Sequence, residues 1–396
     1  MSAAATPASA TVQLGVFTPG APASAGALAE YAALVGRQPD IVMWFRGFGQ
    51  PLMETRETTS LRATGQTPMV TWEPNKQSLS QIASGEYDAY LHESAAVAKS
   101  WGGPLLVRFA HEMNGNWYPW GAGAIPAYTY LAAWYHIVSL FRGDGATNVS
   151  WVWSPYVEVG TRFPLAAYYP GDDWVDYIGL DGYNWGRVRG RWQDLDTVFS
   201  ASYSTVTSFS SRPVILSETA STESGGDKAE WIRVGFMSTI PERFPRVTAV
   251  VWFNKNQETD WRIDSSQASL DAYRAVVDCW IYGGAGPCPG VPGRRGRKRN
   301  LVCSLRVSRR VTRVRLAGSV SFCLSAPARV RIVVAPRGHI GPRAAIVRRG
   351  RSGHNRVPLL QILRHRGFRA GRYRLVVAAS DGRGLSHRRV ARFRIV

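Results

Sequence analysis

Eight short apolar runs, rich in β-branched and aromatic residues, recur through the first three quarters of the chain and constrain its fold more than any other feature. They fall at residues 12–18, 41–46, 69–72, 105–109, 149–153, 177–180, 214–216 and 247–252. Most are separated by stretches of helical spacing, among them 79–101, 126–142, 195–209, 228–240 and 267–280. Near-continuous apolar runs suit strands covered on both faces, and strand alternating with helix is the pattern of a parallel sheet. Eight such units within about 290 residues predict an α/β fold, a (β/α)8 TIM barrel, whose chemistry gathers at the C-terminal strand ends.

Those ends are polar and aromatic. The fourth run leads into AHEMNGNWYPWG, which places His111, Glu112 and Asn114 beside Trp117, Tyr118 and Trp120. The third ends in Trp72-Glu73, the sixth in Asp181-Gly182-Tyr183-Asn184-Trp185, the seventh in Ser217-Glu218-Thr219 and the eighth in Trp252-Phe253-Asn254. Flat aromatic faces suit the CH-rich faces of sugar rings, so carbohydrate is the first substrate class to weigh. Glu112 and Glu218, on strands four and seven, are the carboxyl pair that glycoside cleavage needs: one protonates the leaving oxygen, the other attacks or activates water. Asn184 and Trp185 are expected to touch sugar hydroxyls. Glu73 and Glu158 lie on rim loops. Asp172, Asp173, Asp176 and Asp181 are expected to cap or turn the backbone.

Rival chemistries find no support. A helical zinc protease needs a second His four residues after the first, and Gly115 stands there. No metal site or cofactor follows from the sequence. A phosphate loop, a G-x-S-x-G turn and a dinucleotide fingerprint are all missing.

The run from His111 to Gly115 with Trp117, Tyr118, Pro119 and Trp120 resembles the acid/base signature of glycoside hydrolase family 26, whose members are mainly β-mannanases on a retaining clan A barrel. WSPY at 153–156, YYPGDDWVDYIGLDGYNWG at 168–186 and ILSET at 215–219 extend the likeness, which covers roughly residues 13–280. The resemblance implies Glu112 as general acid/base and Glu218 as nucleophile, with His111 hydrogen-bonding beside the acid/base. It also implies that Tyr183 positions the nucleophile, that Trp117 and Trp252 form sugar platforms at the cleavage point, and that Trp72 is a glycone-side platform.

Charge divides the chain. Residues 1–290 carry 20 Lys and Arg against 27 Asp and Glu, whereas residues 291–396 carry 28 against the single Asp381. The stretch GGAGPCPGVPGRRGRKRN at 283–300 reads as an exposed linker. The expected organisation is an N-terminal disordered segment 1–11, a hydrolase barrel 12–282, the linker 283–300 and a module 301–396. In that module, alternating runs at 311–316, 320–324, 328–334, 355–360, 371–379 and 390–396 predict a small immunoglobulin-like or fibronectin-like β-sandwich. Its basicity should draw it to polyanions such as an anionic cell-wall polymer, while its few aromatics offer no stacking platform and no specific nucleic-acid partner is expected.

No run of 18 apolar residues exists, so no membrane span is expected. The start MSAAATPASATVQLG lacks the basic region and apolar core of a secretory signal. Four cysteines permit local disulfides Cys279–Cys288 and Cys303–Cys323, and free buried thiols are the alternative. The expectation is an extracellular or wall-associated bacterial protein, monomeric, acting on polysaccharide. Its activity is expected to be that of a retaining endo-β-glycanase on β-1,4-mannan. The alternatives are a mixed-linkage β-glucan or another β-glycan as substrate, and a non-catalytic polysaccharide-binding or wall-associated protein.

Overall fold

The computed structural model describes residues 11–157, 163–286 and 288, and in the tail 302–308, 310–311, 318–324, 328–336, 344–351, 353–363, 368, 370–380 and 386–396. They divide into two compact units, Met1–Val291 and Pro292–Val396. Glu158, most of the expected N-terminal segment and most of the expected linker lie outside the described residues.

All eight predicted strands form: β1 (Gln13–Phe17), β2 (Ile41–Gly47), β3 (Thr67–Glu73), β4 (Leu105–Phe109), β5 (Val149–Trp153), β6 (Tyr177–Asn184), β7 (Val214–Ser221) and β8 (Val247–Phe253). Neighbours pair in parallel and β1 closes on β8, giving a (β/α)8 barrel. Side-chain acceptors start several outer helices. Ser24, Asp194, Asp227 and Ser266 each accept from the backbone N–H three residues on, satisfying a donor the first turn leaves unpaired.

Two expected helices are interrupted. The stretch 79–101 divides into Leu79–Ala83 and Asp88–Trp101, with the bend Ser84-Gly85-Glu86-Tyr87 between them. The stretch 228–240 runs as an α-helix over Lys228–Val234 and passes through a π-turn at Gly235–Thr239.

Strand parity sorts the barrel into two cores. Ile41, Met43, Met69, Leu106, Val152, Ile215, Ala249 and Val251 pack together inside the barrel. Their alternates Val42, Val70, Val107 and Val250 join the larger layer between strands and helices. Following the inner parity towards the C-terminal ends brings polar Arg108, Ser154, Asp181 and Ser217 above the apolar plug. The Cys279–Cys288 disulfide forms near the last helix, where Val12 N–H donates to Ile281 O at 2.9 Å.

The tail is an all-β unit of two sheets. One has the order β10-β16-β15-β12-β13 and the other β14-β11-β9. The ranges are β9 (Val302–Val307), β10 (Arg310–Val311), β11 (Ser319–Leu324), β12 (Ala328–Pro336), β13 (Ala344–Gly350), β14 (Gly353–Pro358), β15 (Gly371–Ser380) and β16 (Ser386–Ile395). Val320, Phe322 and Val357 of the smaller sheet share a core with Val330, Ile332, Leu375, Val377 and Phe393 of the larger one, so the two pack face to face. The sequence reading did not include β9 and β13. The run expected at 355–360 is a strand only to Pro358, where a short helix Leu359–Leu363 begins. Cys323 is disulfide-bonded, and the side chain of Cys303 lies outside the described residues.

Among the described residues no helix is long and apolar enough to cross a membrane.

Candidate active site

A buried guanidinium organises the C-terminal mouth of the barrel. Arg108, from the otherwise apolar β4, donates through Nη1 to Glu218 Oε1 at 2.8 Å and Thr71 Oγ1 at 3.0 Å, and through Nη2 to Asp181 Oδ2 at 2.5 Å. Ser154 and Ser217 donate to Asp181 Oδ1 at 3.1 and 2.7 Å. A Cβ at Gly179 would stand 2.3 Å from Ser154 Oγ and 2.5 Å from Ser217 Oγ, so a bare glycine is what lets the two hydroxyls converge. Buried charges persist when such hydrogen bonds satisfy their remaining donors and lone pairs. Burial opposes the Arg108 charge, but Asp181 and Glu218 outweigh it and raise its pKa. Burial pushes Asp181 up to about 7, with Arg108 pulling down and Glu218 pushing up.

A bulge in β7 delivers the second carboxyl. Pairing with β6 steps from Gly179–Ile215 to Asp181–Glu218, two residues on β6 against three on β7. Ser217 and Glu218 would face opposite sides of a regular strand. Here both reach the interior network.

Glu112 arrives by a strained turn after β4. Ala110 (φ 45°) and Glu112 (φ 52°) both adopt the left-handed region, a costly conformation for residues with a Cβ. Ala110 N–H donates to Trp72 O at 2.9 Å and Glu112 N–H to Ser154 O at 2.7 Å, which ties the turn to β3 and β5. Trp117 Nε1 donates to Glu112 Oε2 at 2.5 Å.

The two carboxyls have different surroundings. Burial, then Asp181 and Glu218, push Glu112 well above the usual carboxyl range, and Trp117 and Arg108 pull back less. Glu218 accepts from Arg108 and, at 2.6 Å, from Tyr183 OH, so its oxygens act as acceptors. A carboxyl held towards its protonated form beside one whose oxygens both accept hydrogen bonds suits acid and nucleophile roles.

The remaining expected site residues divide. His111 is buried beside Glu112, with Nε2 3.1 Å from Tyr118 OH, and burial and Arg108 lower its pKa and keep the ring neutral. Trp117 is 47% exposed at the rim, its indole edge-on to Tyr156 at 5.2 Å. A Cβ at Gly115 would meet this indole at 2.4 Å, so the ring lies directly over glycine. Trp185 is half-buried, donates to Tyr156 OH at 3.1 Å and carries the Arg189 guanidinium 3.5 Å over its ring.

Three expectations are corrected. Trp72 and Trp252 are each 0% exposed because their even parity turns them outward under the helices. Trp72 stacks on Phe48 at 4.8 Å and bonds Tyr90 OH, while Trp252 donates to Trp261 O and packs on Phe236 and Tyr273. Neither offers a face to a sugar. Asn184 is fully buried and spends its amide on Ser221 Oγ and on the N–H groups of Gly186 and Gln193, clamping its own loop.

Sequence reasoning missed Arg108, Ser154 and Ser217, and read Asp181 as a turn residue. The signal for Arg108 was a lone charge inside a buried strand, which is tolerated only when paired. Phe17, Phe45 and Phe253 were missed too; they form an aromatic wall in which Phe17 stacks on Phe253 at 4.7 Å and Phe45 lies 5.8 Å from His111. Asp172 is structural as expected, accepting from Ser210, Ser211 and Tyr169.

A parallel barrel with two carboxyls at the ends of β4 and β7, ringed by aromatics, is the arrangement found in barrel glycosidases. The model of Glycosyl hydrolase family 26 matches residues 65–217. Endoglucanase H of Acetivibrio thermocellus is 40% identical over 263 residues, 64% of this chain and 29% of that protein. Mannan endo-1,4-beta-mannosidase A and B of Caldalkalibacillus mannanilyticus is 36% identical over 87 residues, 20% of this chain and 16% of that protein. Among solved structures, a Cellulomonas fimi endo-beta-1,4-mannanase double mutant shares the fold, with a TM-score of 0.53 and 16% identity over 98% of this chain and 94% of that one. The similarity to glycoside hydrolase family 26 lies in the barrel, and the chain spans less than a third of the curated relatives named here.

Proposed function

We propose that this chain is a retaining, endo-acting β-glycanase in which Glu112 is the general acid/base and Glu218 the nucleophile. The observation that carries the reading is the asymmetry between the two carboxyls: Glu218 accepts from Arg108 and Tyr183, while Glu112 is buried, raised in pKa and bonded by one indole. Glu218 attacks the anomeric carbon, the glycosidic bond breaks, and Glu112 gives its proton to the leaving oxygen. Esterification removes the Glu218 charge, one of the forces that holds the proton on Glu112. Glu112 then takes a proton from the incoming water as the water oxygen bonds the anomeric carbon and the ester bond to Glu218 breaks.

Similarity to family 26 and the names of the relatives support a β-glycan backbone. One relative, similar over 263 residues, is named an endoglucanase. The mannanase matches span 83 to 91 residues. β-1,4-Mannan stays the first reading, as expected from the sequence, on these four relatives; a β-glucan is the second, on the longer match to the endoglucanase. The Cys279–Cys288 bond supports an oxidising, extracellular setting.

The test is reducing-sugar release from lichenan, carboxymethylcellulose, mannan, glucomannan and xylan. Release of oligosaccharides from a glucan or mannan, abolished in Glu218→Ala with polymer binding retained, is the expected result. Binding without turnover on any polymer would favour the non-catalytic reading.

A further inference from the structure

The register of the larger tail sheet assembles an arginine face in a module nearly devoid of acidic residues. Even-numbered residues of β12 and odd-numbered residues of β15 fill the core, which leaves Arg329, Arg331, Arg372 and Arg374 exposed on the other face. Pairing sets Arg374 directly opposite Arg392 and Arg372 opposite Arg394, all four exposed. Arg329 stands opposite exposed Arg349. Between these groups runs a row of small apolar residues, Val333, Val376 and Val390. The only acidic residue of residues 291–396 is Asp381.

Like charges directly opposite on neighbouring strands destabilise a sheet. Three such pairs in one face lower the stability of the module when it is alone, and a bound polyanion removes that repulsion. Along a strand these charges repeat about every 6.6–6.8 Å, and across strands about every 4.7–4.9 Å, so a polymer with a charge on each repeat can meet several in turn. Guanidinium forks pair bidentately with phosphate. The face carries no aromatic ring on which a sugar or an unpaired base could stack: Tyr373 and Phe393 both point into the core.

We propose that this face binds a linear wall polymer bearing a phosphodiester on each repeat, and so holds the catalytic barrel at an anionic cell surface. The inference adds a binding surface to the function proposed above and is read independently of it.

The test passes the full chain over immobilised poly(glycerol phosphate) wall polymer in rising salt. Three proteins are compared: the unaltered chain, the quadruple variant Arg372→Gln/Arg374→Gln/Arg392→Gln/Arg394→Gln, and a control Arg306→Gln/Arg356→Gln on the smaller sheet. Retention that falls with salt, weakened about ten-fold or more in the quadruple variant and much less in the control, is expected from the release of counterions. The melting temperature of the quadruple variant should be equal or higher, which separates lost binding from lost folding. Equal retention of quadruple and control variants overturns the proposal, as does binding to anionic lipid vesicles or duplex DNA at least as tight as to the polymer. A chain that shows this pattern but cleaves no β-glycan would defeat the enzymatic reading and leave this one standing.

Discussion

The indole N–H of Trp117 donates to Glu112 Oε2 at 2.5 Å, five residues away along the same loop, and it is the one side-chain donor on that carboxyl among the described residues. The bond favours the ionised form, against burial and the charges of Asp181 and Glu218, which favour the proton.

Removing that donor has a defined sign. Trp117→Phe should raise the Glu112 pKa further, so the alkaline limb of the kcat/KM profile, where the acid loses its proton, moves to higher pH. KM should rise as well, since the rim aromatic is altered. A limb that stays in place or moves to lower pH would contradict the assignment of Glu112 as the acid.

Among the described residues Arg108 is the one cation paired with Asp181 and Glu218. Arg108→Met should leave Asp181 and Glu218 buried without their cation and destabilise the barrel by about 3–5 kcal/mol, read by denaturant unfolding. Turnover should fall with it. Stability within about 1 kcal/mol of the parent would show that the network contributes little.

Gly115→Ala tests the placement of Trp117. The added Cβ would lie 2.4 Å from the indole, so the ring must leave its seat and release Glu112. Activity should drop by about ten-fold or more, with a smaller loss of thermal stability. Full activity would mean that the indole position is not needed.

How much of this was legible in the sequence follows from what local patterning encodes. All eight strands were readable because a buried parallel strand is a nearly unbroken apolar run, and Glu112, Glu218 and Tyr183 were readable because they follow such runs within specific motifs. Parity was the part misread. Trp72 and Trp252 sit at strand ends as expected, but one residue out of phase with the inward-facing Glu73 and Phe253. Ser217 and Glu218 share one face because of a bulge that only the pairing with β6 reveals. Arg108 went unread inside an apolar run, although its charge in a buried strand required partners.

The Cys279–Cys288 disulfide closes a short loop where the last helix meets the N-terminal strand. Replacing both cysteines by serine should lower stability by about 2–3 kcal/mol, seen as a lower melting temperature, while activity well below that temperature is unchanged. A loss of activity in the fully folded variant would place this segment closer to the chemistry than the account allows.

In the proposed mechanism Glu218 forms the covalent glycosyl-enzyme and Glu112 serves it as acid and base. Incubation with an activated 2-deoxy-2-fluoro-β-glycoside, followed by mass spectrometry of the digested protein, tests this most directly. A single glycosyl adduct on the peptide containing Glu218, absent from Glu218→Ala, is expected. An adduct on another residue, or turnover that releases the inverted anomer with no adduct, would contradict it.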